Sequence, residues 1–143
     1  MTETPELSTR AVQQSGASRG GEVELRVPAD SAYVAVLRSV TAGLAARCDL
    51  TLDEIEDLRI AVDEACGLIL PLARTGAFLI TRFELAPGCL VATAAVDTMQ
   101  GVALDRDGFG WTVLDALASV VEVHQQADSL RISLTKRRGD QPL

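Results

Sequence analysis

The chain contains a single histidine, His124, among 143 residues. No Ser/His/Asp or Cys/His set can be assembled from spacing, so nucleophilic hydrolase chemistry has no support. Basic charge is also in deficit. Lys and Arg number 13 against 20 Asp and Glu, a net charge of −7, whereas affinity for nucleic acid depends on many cations neutralising phosphates. Direct nucleic-acid binding is therefore not expected, and an acidic domain is better matched to a basic protein partner.

Cysteine is sparse and unpatterned. Cys48, Cys66 and Cys89 show neither CxxC nor Cys/His spacing, which excludes an evident zinc site or disulfide framework, and their odd number fits a reducing compartment. No metal ligand set is expected. The chain also lacks a signal-peptide core and any apolar run long enough to span a bilayer, so no membrane role is expected and the cytoplasm is the expected location.

What is present is ordinary for one globular domain: 48% apolar and 23% charged residues, enough to bury a core without disulfides or metal. Residues 1–20, with "QQSGASRGG", have too few large apolar groups to repay ordering entropy and read as a flexible N-terminal tail. Residues 21–137 form the expected domain, and 138–143 a short C-terminal tail.

Within the domain "EVELRVP" alternates like a half-buried strand, and Ala29-Asp30-Ser31 leads into a helix predicted over 31–47. Thr51 followed by Glu54 is a capping-box signature for a second helix, with Pro71 as its stop. In that helix Ile55, Leu58, Val62, Ala65 and Ile69 make one apolar stripe, and Glu64 falls nearly opposite it. "AFLITRFELA" and "CLVATAAVD", separated by Pro87-Gly88, read as a hairpin. "GFGWTVLDALASVVEVH" opens with glycines and reads as a third helix, and "DSLRISLTKR" as a final strand. The order β-α-α-β-β-α-β implies an α+β fold: a two-layer α/β sandwich whose helices cover one face of a mixed, mostly antiparallel sheet.

The chemistry-bearing features are few. Adjacent Asp63 and Glu64 sit on the second helix, where a carboxylate over a pocket can orient or deprotonate a nucleophile; periodicity alone favours a solvated acidic face. "DTMQG", Asp97 to Gly101, ends a strand. "DGFGWTVL" opens a helix at Gly108 and Gly110, glycines that can bring backbone amides close to phosphate, although a lone GxG is equally an ordinary helix start.

Glu54 to Cys66, "EIEDLRIAVDEAC", resembles the N-box helix of bacterial anti-sigma factors that are also serine kinases, within the GHKL (histidine-kinase-like) ATPase superfamily. That helix reads roughly Ile-x-x-Ile-x-x-Ala-Val-x-Glu-Ala-Cys-x-Asn. By the same resemblance Asp97 matches the aspartate that recognises adenine, Gly101 the second glycine of Asp-x-Gly-x-Gly, and Gly108 and Gly110 the later glycine box. The correspondence runs in order over about 22–136. It implies the Bergerat ATP-binding sandwich and a homodimer. The implied function is to sequester an alternative sigma factor until an anti-anti-sigma antagonist, which active members phosphorylate with ATP, competes for the same surface. Arg38 corresponds to a family arginine that contacts both partners; on charge alone it is equally a solvated helix arginine.

Departures from the pattern reshape the expectation. Glu64 matches the presumed general base, but the asparagine one turn later that holds magnesium is Leu68, which cannot coordinate it. Met99 replaces the first glycine of Asp-x-Gly-x-Gly, where its side chain can press on the adenine site. Only six residues separate Gly101 from Gly108, too few for a long lid. Because phosphoryl transfer relies on positioning and metal electrostatics, the expectation is an anti-sigma factor with a vestigial Glu64, weak or absent kinase activity, and weak or lost binding of ATP, ADP and Mg. The alternative is an active serine kinase in which Asp63 replaces the missing ligand.

Overall fold

The computed structural model of the protein describes residues 21–139. The expected tail over 1–20, and 140–143, lie outside the described residues. Arg138 and Gly139, expected in the C-terminal tail, are tied down instead: the Arg138 amide donates to Gly88 O at 2.8 Å and the Gly139 amide to Glu54 Oε2 at 2.7 Å.

Strand β1 (Gly21–Pro28) leads through a single 3-10 turn (Ser31–Tyr33), capped by the Asp30 carboxylate on the Ala32 amide, into helix α1 (Val34–Arg47). Helix α2 (Leu52–Ile69) follows after a sharp stop. The Asp49 amide bonds Ala46 O at 3.1 Å and the Leu50 amide reaches back to Ala45 O at 3.3 Å, with Asp49 left-handed at φ 62°. This is a Schellman stop made by Asp, which tolerates that conformation better than most residues; buried Leu50 supplies the apolar contact.

The expected capping box of α2 is formed. The Glu54 amide donates to Thr51 Oγ1 at 3.2 Å and the Thr51 amide to Glu54 Oε1 at 2.8 Å. The helix ends in a 3-10 turn (Leu70–Leu72) containing Pro71. Strands β2 (Phe78–Ala86) and β3 (Cys89–Asp97) make the expected hairpin, Ala86 pairing with Cys89. Gly88 takes φ +73° at the turn, a conformation that glycine adopts without strain.

The third helix is shorter than its sequence suggests. Helix α3 (Phe109–Leu117) stops before Ala118, and the second half of the predicted helix is strand β4 (Val120–Gln126), followed by β5 (Ser129–Arg137). Val120, Val121 and Val123 are β-branched and favour a strand wherever a partner edge is open. That edge is β5, and the Ser119 amide starts the ladder by donating to Thr135 O at 2.7 Å. The observed order is therefore β-α-α-β-β-α-β-β.

All four pairings are antiparallel, in the order β1-β2-β3-β5-β4, one step simpler than the mixed sheet expected. Alternation puts Leu79, Thr81 and Phe83 of β2, Leu90, Ala92, Ala94 and Val96 of β3, and Leu130, Ile132 and Leu134 of β5 on the buried face. Helices α1 and α2 cover that face, and α3 packs on α2. The core contains Leu37, Leu58, Val62, Ala65 and Ile69 from the helices, so the α2 stripe lies where periodicity put it. Among the described residues no helix covers the opposite sheet face.

One charged residue breaks the apolar column of β5. Lys136 is 2% exposed. Its Nζ donates to Leu117 O at the end of α3, at 2.8 Å, and to Asp57 Oδ2 of α2 at 3.3 Å.

Candidate functional site

Helix α2 is held in its N-terminal half, by its capping box and by the Lys136 tether at Asp57, and carries Glu64 and Leu68 in its C-terminal half. Both are half-buried, and α3 crosses over them. An ideal Cβ placed on Gly110 would lie 2.8 Å from Glu64 Oε2 and 3.3 Å from Leu68 Cδ2. Gly110 is a glycine of close approach rather than of unusual backbone. Glu64 is therefore only partly open to solvent, with the first turn of α3 against its carboxylate.

Gly108 is the extended residue preceding α3, and a Cβ there would meet the Asp105 carboxylate at 3.0 Å. Asp105 Oδ1 also accepts from the Asp107 amide at 3.0 Å. The short segment between Gly101 and Gly108 is pinned in further ways: Leu104 is buried, Gln125 Nε2 donates to Val102 O, and the Arg106 guanidinium stacks 4.7 Å from the Trp111 ring centre. Gly101 adopts φ +82°, a position that favours glycine.

Asp97 and its neighbours stand apart from this contact. Alternation along β3 turns Asp97 to the uncovered sheet face, where it lines a cleft that includes none of Glu64, Gly101, Gly108 or Gly110. Met99, expected to press on an adenine site, is 60% exposed and projects into solvent. The structure thus brings Glu64, Leu68 and Gly110 together, and places Asp97 elsewhere.

Arg38 has a defined setting. Its Nη1 lies 3.0 Å from Asp63 Oδ1, the acid adjacent to Glu64, and both line a groove of about 630 Å³ between the start of α1 and the end of α2. No local sequence signal marks Asp63 as its partner, because 25 residues separate the two in the chain. Cys66, on the floor of this groove, is 1% exposed, and burial pushes its thiol up to about 12; it is unreactive core, as its helix face implied.

The donor set does not suit magnesium. Leu68 presents hydrocarbon one turn from Glu64, and hard cations require oxygen ligands. Among the described residues no group of three or more His, Cys, Asp or Glu side chains is arranged to hold a metal ion. No helix among them is long and apolar enough to cross a membrane.

Sheet order, helix layer and the position of α2 define a histidine-kinase-like α+β sandwich of the RsbW type. A solved structure, the RsbU and RsbW domains of Rv1364c from Mycobacterium tuberculosis, superposes with a TM-score of 0.65 at 18% identity, over 85% of this chain and 34% of that one; at that identity the likeness is one of fold. Sequence relatives are the serine-protein kinases RsbW. The Bacillus subtilis protein is 52% identical over 44 residues, 31% of this chain and 28% of its own. The Bacillus velezensis protein is 48% identical over 44 residues, again 28% of its length. The matched segment thus spans little more than a quarter of these relatives. No protein-family model matches the chain. The resemblance read from residues 54–66 is borne out: the chain is a relative of the RsbW serine-protein kinases, in sequence over 44 residues and in fold over most of its length.

Proposed function

We propose that the protein is an RsbW-type anti-sigma factor that sequesters an alternative sigma factor and is relieved by an anti-anti-sigma antagonist, with little or no kinase activity of its own. It acts as a homodimer in the cytoplasm and binds nucleotide at the Glu64 site weakly or not at all. The RsbW relatives support the regulatory role. The observation behind the impaired chemistry is the contact of Glu64 and Leu68 with Gly110, which sets hydrocarbon and the first turn of α3 where a metal and phosphates would need polar ligands and room.

The active-kinase reading requires Asp63 to replace the missing ligand. Against it, the Asp63 carboxylate is engaged by Arg38 in the groove between α1 and α2, on a different flank of the helix from Gly110. That groove suits a protein contact: it is partly apolar, through Val34, Ala35 and Leu70, with one ion pair at its centre.

Co-expression with the sigma factor and antagonist encoded nearest the gene tests the proposal. The expected result is a stable complex with the sigma factor, displaced by the antagonist, with no transfer of label from radioactive ATP in the presence of magnesium. Arg38→Ala should weaken the complex at least about tenfold, equivalent to 1.4 kcal/mol. Light scattering should give twice the 15.2 kDa chain mass. Robust serine phosphorylation would establish the kinase instead, and failure to bind any sigma factor would remove the anti-sigma role.

A further inference from the structure

The uncovered face of the sheet holds a second cleft, of about 560 Å³, at the end where β3 terminates. Its floor is apolar, from Ile80 and the half-exposed ring of Phe78, and three arginines surround it: Arg26 on β1, Arg131 on β5 and Arg74 on the loop before β2. In a chain of net charge −7 this is a local concentration of positive charge.

Register places the first two arginines. Arg26 pairs with Ile80, Ile80 with Ala95, and Ala95 with Arg131. They therefore share one row across the open face, three strand spacings or roughly 14 Å apart at the backbone, with apolar residues between them. Arg74 is fixed separately: its amide donates to Asp97 O at 2.8 Å and its Nη2 to Thr98 O at 3.3 Å. Arg26 lies 4.2 Å from the centre of the Phe78 ring, a contact that leaves the guanidinium edge free to donate.

None of the three is matched by an acid among the described residues. The ion pairs there are Arg38–Asp63, Arg59–Glu56, Arg82–Glu24 and Lys136–Asp57. Arg82, in the neighbouring row of the same face, has its carboxylate at 3.1 Å. Asp97 lines the rim without pairing with any of them. Three arginines lining one concave cleft of ligand-site volume, with Ile80 and Phe78 between them and Asp97 the one acid in the lining, offer a recognition surface for oxyanions, which arginine binds bidentately.

We infer that this cleft is a binding site for a small polyanion, one carrying at least two phosphate or carboxylate groups set so that Arg26 and Arg131 grip opposite ends while Arg74 closes the top. It lies on the face of the sheet away from Glu64 and from the Arg38 groove, so it is independent of the sigma-binding proposal, and either can fail without the other.

Calorimetry on the full chain at about 0.15 M salt, where long-range surface attraction is screened, tests it with two probes. Inorganic tripolyphosphate represents the phosphate source and citrate the carboxylate source. Saturable one-to-one binding of either is expected, and the tighter probe identifies the source. Arg26→Gln and Arg131→Gln should each weaken binding at least about tenfold, and the double variant should abolish it. Arg47→Gln, at an exposed arginine on α1 remote from the cleft, should leave it unchanged. No saturable binding of either probe would overturn the inference, as would equal weakening by Arg47→Gln, which would mark simple charge attraction.

Discussion

Gly110 and Leu68 explain each other. A side chain at 110 would meet the Glu64 carboxylate and press on Leu68, so the first turn of α3 can settle against both; under the proposed function this is the space a nucleotide's phosphates would need. Restoring one ligand does not reopen that space. Leu68→Asn is therefore expected to give no magnesium-dependent phosphorylation of the antagonist, read by radiolabel transfer; robust activity from this one change would refute a site altered at several positions.

Glu54 presents a different residue-scale case. Burial opposes its charge, but the Thr51 and Gly139 amides, the Thr51 hydroxyl and nearby Lys136 outweigh burial and hold the carboxyl below its ordinary range. With the folded value below the unfolded one, roughly 4.3, the unfolded chain binds more protons in the interval between them, so stability rises with pH there. This contribution is complete above the unfolded value and is lost as pH falls through the folded value. Glu54→Gln should flatten that part of the acid limb in denaturation measured from about pH 2 to pH 6. An unchanged limb would show that other carboxylates set it.

At the scale of elements, helix starts were legible, and so were the ends of α1 and α2, but the end of α3 was not. The capping box of α2 needs only Thr51 and Glu54 at the right spacing, and both bonds form. Thr51→Ala should cost about 1 kcal/mol in chemical denaturation, and Thr51→Ser much less. The end of α1 falls at Arg47, where the helix predicted over 31–47 also stops, although Asp49 rather than glycine holds the left-handed position beyond it. The change from α3 to β4 escaped notice because Val120 to Val123 suits a helix or a strand until β5 offers its edge. Propensity is a local quantity, whereas strand pairing depends on a distant partner.

For the whole molecule, Lys136 is the point where α2, α3 and β5 are joined. Alternation along "SLRISLTKR" places it in the same inward column as Leu130, Ile132 and Leu134, a signal available from the sequence. Asp57→Ala would leave a buried ammonium with only the Leu117 carbonyl, at a cost of about 1–3 kcal/mol. Lys136→Met, similar in volume and uncharged, should cost less, and the double variant should recover part of the Asp57→Ala loss. Urea denaturation of the three variants decides this, and a neutral Asp57→Ala would rule out the tether as a source of stability.

The sequence by itself determined the two-layer sandwich, the apolar stripe of α2, the Pro87-Gly88 hairpin, and the likeness to anti-sigma serine kinases carried by residues 54–66. These rest on periodicity, on turn and cap chemistry, and on a contiguous motif, all encoded within about twenty residues. Only the tertiary structure decided that Glu64 lies under Gly110, that Arg38 meets Asp63, that Asp97 turns to the other face of the sheet, and that Arg26, Arg74 and Arg131 surround one cleft. The first two depend on how helices pack on one another, and the last two on which strands become neighbours and in what register, since a one-residue slip would turn every side chain of a strand to the opposite face.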